Sequence, residues 1–448
     1  MKISNRREPL ILFMGDIFFF VASLYAMLFL RFGNFPEKEL FLSHLGAFLS
    51  LFTASLFVFY VAGLYEKHTV ILRSRLPHII LRAQVISTII GVLFFYFVPY
   101  FGISPKTNLF IYLVISFGLI MFWRLYLYRF LLPKHSVSAI LISTGKEMNE
   151  LSHEINRNGN YGLHFASLID IENGSSGDLE KIVHEAVRFN SASIVVIDLE
   201  HDKIRNILPS LYNLIFSGVR FVAMYKVYED VFKRVPFSIL QYNWFLENIS
   251  TSPKFFYDAI KRGVDIVLGF FGGLASLIFY PFVILAIKLD DGGPIFITQE
   301  RVGQGGKMIK LYKFRSMKSR LSDKGVWVKE NDDRITKVGA FLRKSRIDEL
   351  PQLWNVVNGD ISLIGPRPDI YQLGIELAQT IPYYTVRSTI KPGLSGWAQI
   401  NQDLPPQSLA ETELRLAYDL YYVKNRSIVL DVRIIVKTIR TLLSQSGR

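Results

Sequence analysis

VDIVLGFFGGLASLIFYPFVILAIKL, residues 264–289, decides how this chain is arranged. It is apolar for long enough to cross a bilayer core as one helix, which takes about 20 residues. A crossing here would leave everything after Lys288 on the opposite face, because no later segment is long and apolar enough to return. The flanks argue against that. Lys261 and Arg262 precede the stretch, and Lys288, Lys307, Lys310, Lys313, Arg315 and Lys318 follow it, whereas loops rich in Lys and Arg collect on the cytoplasmic side. The pattern predicts a segment that enters the membrane and returns to the side it came from. Pro281 supplies the bend by removing a helix hydrogen bond and crowding the preceding turn. Gly269, Gly272 and Gly273 are expected to add local flexibility. Unsatisfied backbone is costly in lipid, so the break should be a kinked helix and not an open loop.

Outward from this stretch, the N-terminal side is richer still in apolar runs. Residues 10–30, 42–64, 79–102 and 109–132 are each about long enough to span as a helix. The first is too long, and lacks a small-residue cleavage site, to be a signal peptide. Lys2, Arg6 and Arg7 precede the first run, Lys67, Arg73 and Arg75 separate the second from the third, and Arg129 and Lys134 close the fourth. Both ends of this four-helix unit are thereby predicted to face the cytoplasm. Asp16 lies inside the first run, where an acid serves either function or helix packing. The whole chain is 448 residues, half hydrophobic, with a formal net charge of +13 and no cysteine. That balance suggests an anionic partner, and the apolar runs favour a membrane surface or a phosphorylated substrate over nucleic acid. The absence of cysteine excludes disulfides, thiolate catalysis and cysteine-held metals.

Between about residues 136 and 248 the pattern changes to short buried-strand runs alternating with amphipathic helices. AILIS (139–143), ASLID (166–170), SIVVIDL (193–199) and RFVAM (220–224) read as parallel strands of a doubly wound α/β domain. The first strand runs into STGKEMNELSHEI, where a dinucleotide site would place G-x-G-x-x-G. Only Gly145 is there, so a structural or regulatory role is the better reading.

Beyond the bend, GGPIFITQERVG (292–303) reads as a turn and a strand, and KLYKFRSM (310–317) alternates cations with apolar residues. On an amphipathic strand Lys313 and Arg315 share a face and could grip a diphosphate, or simply line a solvated edge. SRIDELPQLWN (345–355) then sets two carboxylates side by side. Without any chemistry, Ser345-x-x-Asp348 has capping-box spacing, or Asp348 is itself an N-cap with Pro351 in the first turn. Either register, together with Arg346, is expected to depress the Asp348 pKa and keep it ionised.

The run LRKSRIDELPQLWNVVNGDISLIGPRP closely resembles the bacterial polyprenyl-phosphate sugar-1-phosphate transferases, the monotopic phosphoglycosyl transferases of the large type that starts exopolysaccharide, capsule and O-antigen assembly. The agreement runs from about Lys261 to the C-terminus through KRGVDI, GGPIFITQERVG, KFRSM, the DEL and PRP motifs, KPGLSGWAQIN and YDLYYVKNRSIVLDVRII. The resemblance implies a membrane protein with an N-terminal four-helix transmembrane bundle (1–134), a central Rossmann-like α/β domain (135–250) and a C-terminal mixed α/β catalytic domain (251–448) carrying a re-entrant helix hairpin at about 264–289, bent at Pro281. It implies transfer of sugar-1-phosphate from a nucleotide diphosphate sugar to polyprenyl phosphate on the cytoplasmic face of the inner membrane, with release of nucleoside monophosphate. It implies Asp348 as the nucleophile of a covalent aspartyl intermediate, Glu349 beside it to help hold Mg²⁺, and Arg367 on the nucleotide phosphate or base. Substrate contacts are also expected from Arg301, Lys313, Arg315, Lys391 and Gln399. The partners are then the nucleotide-sugar donor, polyprenyl phosphate and the lipid bilayer, with self-association left open and no nucleic acid.

Other features are read as structural. Gly393, Gly396 and Trp397 shape the KPGLSGWAQ loop, Asp332, Asp333 and Arg334 make a salt-bridged turn, and residues 418–443 form amphipathic helix for packing or interfacial contact. One departure from the family pattern is Tyr280, which stands before the hairpin proline where serine is common. A nucleotide-sugar dehydratase would need a glycine-rich loop and a Tyr-x-x-x-Lys pair. Tyr257 and Lys261 have the spacing but no such loop, which rejects it. A non-catalytic membrane scaffold for polysaccharide assembly is the competing reading, and it predicts that Asp348 is dispensable.

Overall fold

The computed structural model describes residues 7–62, 64–65, 76–97, 105–127, 137–158, 161–173, 176–249, 254–290, 292–317, 335–402 and 405–443. The loop charges Lys2, Arg6, Lys67, Arg73, Arg75, Arg129, Lys134 and Lys318, and the Asp332-Asp333-Arg334 turn, lie outside them. The chain divides into two compact units, Met1–Val231 and Phe232–Arg448.

The first unit opens with α1 (Arg7–Phe32), α2 (Lys38–Val61), α3 (Leu76–Phe97) and α4 (Pro105–Phe122), the last running into a π-helical turn at Trp123–Leu127. Among the described residues three unbroken helical stretches are long and apolar enough to cross a membrane, Leu10–Phe32, Lys38–Val61 and Thr107–Leu127. These helices fit a membrane protein. At the predicted span 79–102, the apolar part of α3 is the shorter Ile79–Phe94. At 1.5 Å per residue that stretch covers roughly 24 Å, less than the ~30 Å hydrocarbon core. Aromatic side chains sort by face: Phe20 stacks on Phe52 at 5.8 Å and Phe48 meets Tyr112 at 5.0 Å inside, while Phe18, Phe57 and Phe110 point outward. Asp16, fully buried, is bound by the Arg124 guanidinium through Nε at 3.0 Å and through Nη2, and by the Tyr65 hydroxyl at 2.7 Å. Arg124 also donates to the Leu64 carbonyl at 2.9 Å. Asp16 therefore fastens helices together.

The same unit continues with β1 (Val137–Ser143), α5 (Gly145–Arg157), β2 (Leu163–Asp170), α6 (Ser176–Phe189), β3 (Ile194–Ile197), α7 (Asp202–Phe216) and β4 (Arg220–Ala223). The four strands form one parallel sheet in the order β2-β1-β3-β4. Alternation along the strands turns Ile140, Ile142, Val195 and Ile197 to one face, where they pack with Leu179, Val183, Ile204 and Leu211 from α6 and α7. Parallel strands buried on both faces need this continuous apolar text, which is why their positions were legible.

The first unit ends within α8 (Met224–Phe232). The second unit contains α9 (Tyr242–Asn248), α10 (Phe255–Ser276), α11 (Tyr280–Asp290), β5 (Phe296–Val302), β6 (Met308–Phe314), α12 (Lys337–Lys344), α13 (Gln352–Asn358), β7 (Ser362–Ile364), α14 (Tyr371–Thr380), β8 (Gly393–Ser395), α15 (Leu409–Asn425) and α16 (Ile428–Leu443). One face of α10 is buried at Asp265, Gly269, Gly273 and Ser276, and the other exposes Phe270, Phe271 and Leu274. The buried face lies on α13. A Cβ at Gly269 would come within 3.2 Å of Val356 and Val357, and one at Gly273 within 3.3 Å of Trp354. These glycines serve close helix approach, not the flexibility expected of them, because each lacks the one atom that would hold the helices apart.

Helices α10 and α11 are bent by 55°. Hydrogen bonding continues through the bend, from Leu277 N to Leu274 O at 3.2 Å, Phe279 N to Ser276 O at 3.0 Å and Tyr280 N to Leu277 O at 3.2 Å. The break is thus a tightened, kinked helix. Pro281 falls in the first turn of α11, where no N–H is required of it. Ser276 supplies a local side-chain bond, its hydroxyl donating to Gly273 O at 2.6 Å, and Tyr280 instead packs its ring edge-on to Phe314 at 4.8 Å.

Candidate active site

The acid pair sits where the chain reverses between α12 and α13. Ser345 closes α12, its hydroxyl donating back to Phe341 O at 2.8 Å, so it caps a C-terminus and is not the head of a capping box. Arg346 then adopts a left-handed conformation, φ 58° and ψ 15°, and Ile347–Glu349 make one 3₁₀ turn. Pro351 precedes the first residue of α13. Neither helix register read from the sequence is correct, since Asp348 lies mid-turn in a separate short element. With about 3.0 residues per 3₁₀ turn, neighbours diverge by roughly 120°. The two acids therefore point into different surroundings.

Glu349 turns into a cationic cradle. Its Oε1 accepts from Lys313 Nζ at 2.9 Å and from Arg367 Nη2 at 2.8 Å, and Arg346 Nη1 lies 3.7 Å from Oε2. Burial opposes its charge, but Arg367 and Lys313 outweigh burial and hold the carboxyl well below the usual glutamate range. Strand β6 delivers Lys313, and its place is fixed by Asn355 of α13, whose Oδ1 accepts from Tyr312 N at 3.1 Å and whose Nδ2 donates to Lys310 O at 2.9 Å. Burial lowers the Lys313 pKa, with Glu349 opposing it.

Asp348 is 7% exposed, and its Oδ1 is buried without a hydrogen-bond partner. Burial raises its pKa, against the attraction of Lys313 and helped by the neighbouring Glu349 charge. This reverses the sign expected from the sequence. Arg346 spends its charge towards Glu349, and burial, invisible in a linear motif, outweighs what remains for Asp348. The pair is thus divided into one firmly ionised acid and one held high in energy as a carboxylate.

The remaining predicted residues separate into two groups. Arg301 belongs to the cradle's surroundings: it donates to Pro368 O at 3.3 Å and Gln299 Oε1 at 2.7 Å, and burial with nearby Arg367 pushes its pKa down to about 10. Three others make contacts of their own. Arg315 follows the end of β6 and packs its guanidinium on Gly293. The Lys391 ammonium lies beside Gly359, at the end of α13 away from the acids. Gln399 reaches the Leu394 carbonyl within its own loop at 3.4 Å. Trp397 anchors that loop by donating to Lys233 O at 2.8 Å.

Among the described residues no cluster of three or more acidic or histidine side chains could hold a metal. Asp348 Oδ1 nonetheless has no hydrogen-bond partner, and Glu349 Oε2 faces Arg346 Nη1 at 3.7 Å. Mg²⁺ commonly takes one or two carboxylates and completes its shell with water and substrate phosphate. Asp348 Oδ1 and Glu349 Oε2 are the oxygens on which such a site would draw.

A second charge cluster escaped the sequence reading. Arg387 is clasped between Asp419, at 2.8 Å, and Asp369, while Asp369 also accepts from Arg415 at 2.8 Å and from the Tyr384 hydroxyl at 2.7 Å. Burial opposes the Asp369 charge, but Arg387 and Arg415 outweigh it and lower the pKa. The only linear signal was Asp369 directly after PRP, since its partners are far along the chain.

Residues 256–445 match the family described as bacterial sugar transferase. The UDP-N-acetylgalactosamine-undecaprenyl-phosphate N-acetylgalactosaminephosphotransferase of Aeromonas hydrophila is 41% identical over 202 residues, 44% of this chain and 47% of that protein. The UDP-glucose:undecaprenyl-phosphate glucose-1-phosphate transferase of Escherichia coli (strain K12) is 42% identical over 185 residues, 40% of this chain and 39% of that protein. The match spans less than half the length of either relative. The exopolysaccharide production protein PSS of Rhizobium leguminosarum bv. phaseoli is 42% identical over 196 residues, 42% of this chain but 96% of that protein. The matched region holds both acids, Lys313 and Arg367, and covers a whole relative almost end to end: the chain belongs to the bacterial sugar transferase family.

Proposed function

We propose that the chain transfers sugar-1-phosphate from a UDP-sugar to undecaprenyl phosphate and releases UMP. The Asp348 carboxylate attacks the sugar-bearing phosphorus. An aspartyl O–P bond forms, the P–O bond to the nucleotide breaks, and UMP leaves with the bonding pair. A phosphate oxygen of undecaprenyl phosphate then attacks the same phosphorus, and the aspartyl bond breaks to restore the carboxylate. The division within the acid pair carries this reading. Asp348 is buried, raised in pKa and unpaired at Oδ1, so it gains by forming a bond, whereas Glu349 is held ionised by Lys313 and Arg367. Arg367 retains 35% side-chain exposure and can turn from Glu349 to donor phosphate. Asp348 and Glu349 would be the residues to hold Mg²⁺, which when bound would supply further neutralisation of the diphosphate charge.

The accompanying architecture is four spans, residues 1–134, a Rossmann-like domain, 135–250, and a catalytic domain, 251–448, on the cytoplasmic face of the bacterial inner membrane. The 55° bend, with Phe271, Ile278 and Phe282 exposed around it, supports a re-entrant hairpin. Such an arrangement brings a lipid-borne acceptor to a water-facing donor at the start of exopolysaccharide, capsule or O-antigen assembly.

The test incubates the full chain with a panel of UDP-sugars, undecaprenyl phosphate and Mg²⁺. UMP release, together with a trapped phosphosugar adduct absent from Asp348→Asn, supports the reading. Release of UDP would make the protein an ordinary glycosyl transferase. Single cysteines introduced on either side of 264–289 should label from one face only, and labelling from opposite faces would remove the hairpin.

A further inference from the structure

Arg367 stands on a strap, Pro366–Asp369, in which every backbone carbonyl is held. Pro366 O accepts from Gly393 N at 2.9 Å and Asp369 O from Val302 N at 3.0 Å. Pro368 O accepts from Arg301 at 3.3 Å, and Arg367 O from Arg387 Nη2 at 2.7 Å. Prolines on both sides fix φ of Arg367's neighbours, so these carbonyl contacts set where its side chain starts. Arg387 is the buried member of this set. It is 4% exposed, and its guanidinium faces Asp419 through Nε at 2.9 Å and Asp369 through Nη1, with the Tyr384 hydroxyl 3.3 Å away. Two aspartates leave the planar fork one orientation, and in that orientation Nη2 meets the Arg367 carbonyl. A buried cluster of this kind is a poor route to stability, because desolvation offsets much of the attraction.

We propose that Arg387, oriented by Asp369 and Asp419, is a positioning residue that fixes Arg367 for the donor phosphates. The proposal rests on the phosphotransferase reading above. Arg387 acts through the Arg367 backbone carbonyl. It converts the burial of two acids into the placement of one partly exposed cation.

The experiment uses the full chain in lipid nanodiscs, with the UDP-sugar that the parent turns over, undecaprenyl phosphate and UMP release as readout. Arg387→Lys keeps the charge but loses the fork, and a small misplacement of a binding group can cost up to about 10²-fold. The donor KM is expected to rise about tenfold with the acceptor KM unchanged. In an Arg367→Ala background the same change should add less than about twofold, because coupled sites are not additive. Asp419→Asn, which loosens Arg387 without removing it, should shift the donor KM in the same direction by less. Equal effects on both KM values, or effects that multiply across the Arg367→Ala background, overturn the positioning role alone. Loss of a cooperative melt in both Arg387→Lys and Asp419→Asn makes the cluster a folding element and also overturns it. A parent chain that releases no UMP from any donor overturns the phosphotransferase reading itself, and this proposal with it.

Discussion

Asp16 in the helical unit and Asp348 in the transferase unit are both removed from water, yet their surroundings differ in kind. Asp16 has both oxygens satisfied, by Arg124 and by Tyr65, and Arg124's remaining donor reaches a backbone carbonyl. Asp348 leaves Oδ1 without a partner while the cations nearby bind the next residue. An unmade buried hydrogen bond costs about 1–3 kcal/mol. The same chain closes one acid completely and leaves the other open. A closed charge pair is architecture, and an open one beside a cationic cradle is where a reacting group enters.

The largest test of that contrast is Asp348→Asn. Transfer should fall by about 10⁴-fold or more, as removal of a nucleophile does elsewhere, while the melting temperature holds or rises because a neutral amide no longer carries the burial penalty. UMP release and a thermal melt on the same sample measure both, and lost stability with retained activity would break the contrast. Next is Arg124→Met, which strands Asp16 and should cost about 3–5 kcal/mol, with much of that loss recovered when Asp16→Leu is added. The turnover of the folded fraction should stay unchanged in both, which activity per mole of folded protein reads out.

Glu349→Gln sharpens the comparison by pH. Glu349's folded pKa lies below its unfolded value. Its stabilisation is therefore full above the unfolded pKa and is lost as pH falls through the depressed folded one. The variant should be about 2 kcal/mol less stable at neutral pH, and the gap should narrow in acid, as chemical denaturation at several pH values will show. The smallest effect is expected at Thr336, whose Oγ1 accepts from Gly339 N at 2.9 Å at the start of α12. Thr336→Ala should cost about 1 kcal/mol, with donor and acceptor KM unmoved; a shifted KM would mean that α12 governs the acid turn more tightly than its distance in sequence implies.

The elements legible in the sequence were those whose signal is local and repetitive. Apolar length marked the N-terminal helices, buried-strand text marked the parallel sheet, and Pro281 with its flanks marked the bend. The acid pair and Arg367 were found by motif, and the structure brings Glu349, Lys313 and Arg367 within hydrogen-bonding distance. What failed depended on the third dimension. Ser345 and Asp348 have capping spacing on paper, but a left-handed residue between them breaks the register. The sign of the Asp348 pKa shift follows from burial, which no neighbour in sequence announces. Arg315 and Lys391 carry the right charge, and their head groups end up against Gly293 and Gly359. Arg387 meets Asp369 and Asp419 across 18 and 32 positions, a separation at which no pattern survives.

The left-handed backbone at Arg346 has a consequence for anyone who tries to harden this protein. A side chain in that conformation costs roughly 1–2 kcal/mol, and glycine escapes the clash. Arg346→Gly is therefore a change that a screen for heat resistance alone would be inclined to keep. It would also strip a cation from beside Glu349 and loosen the one turn that aims Asp348. At this position durability and chemistry pull against each other, so selection for the first needs an assay for the second running alongside.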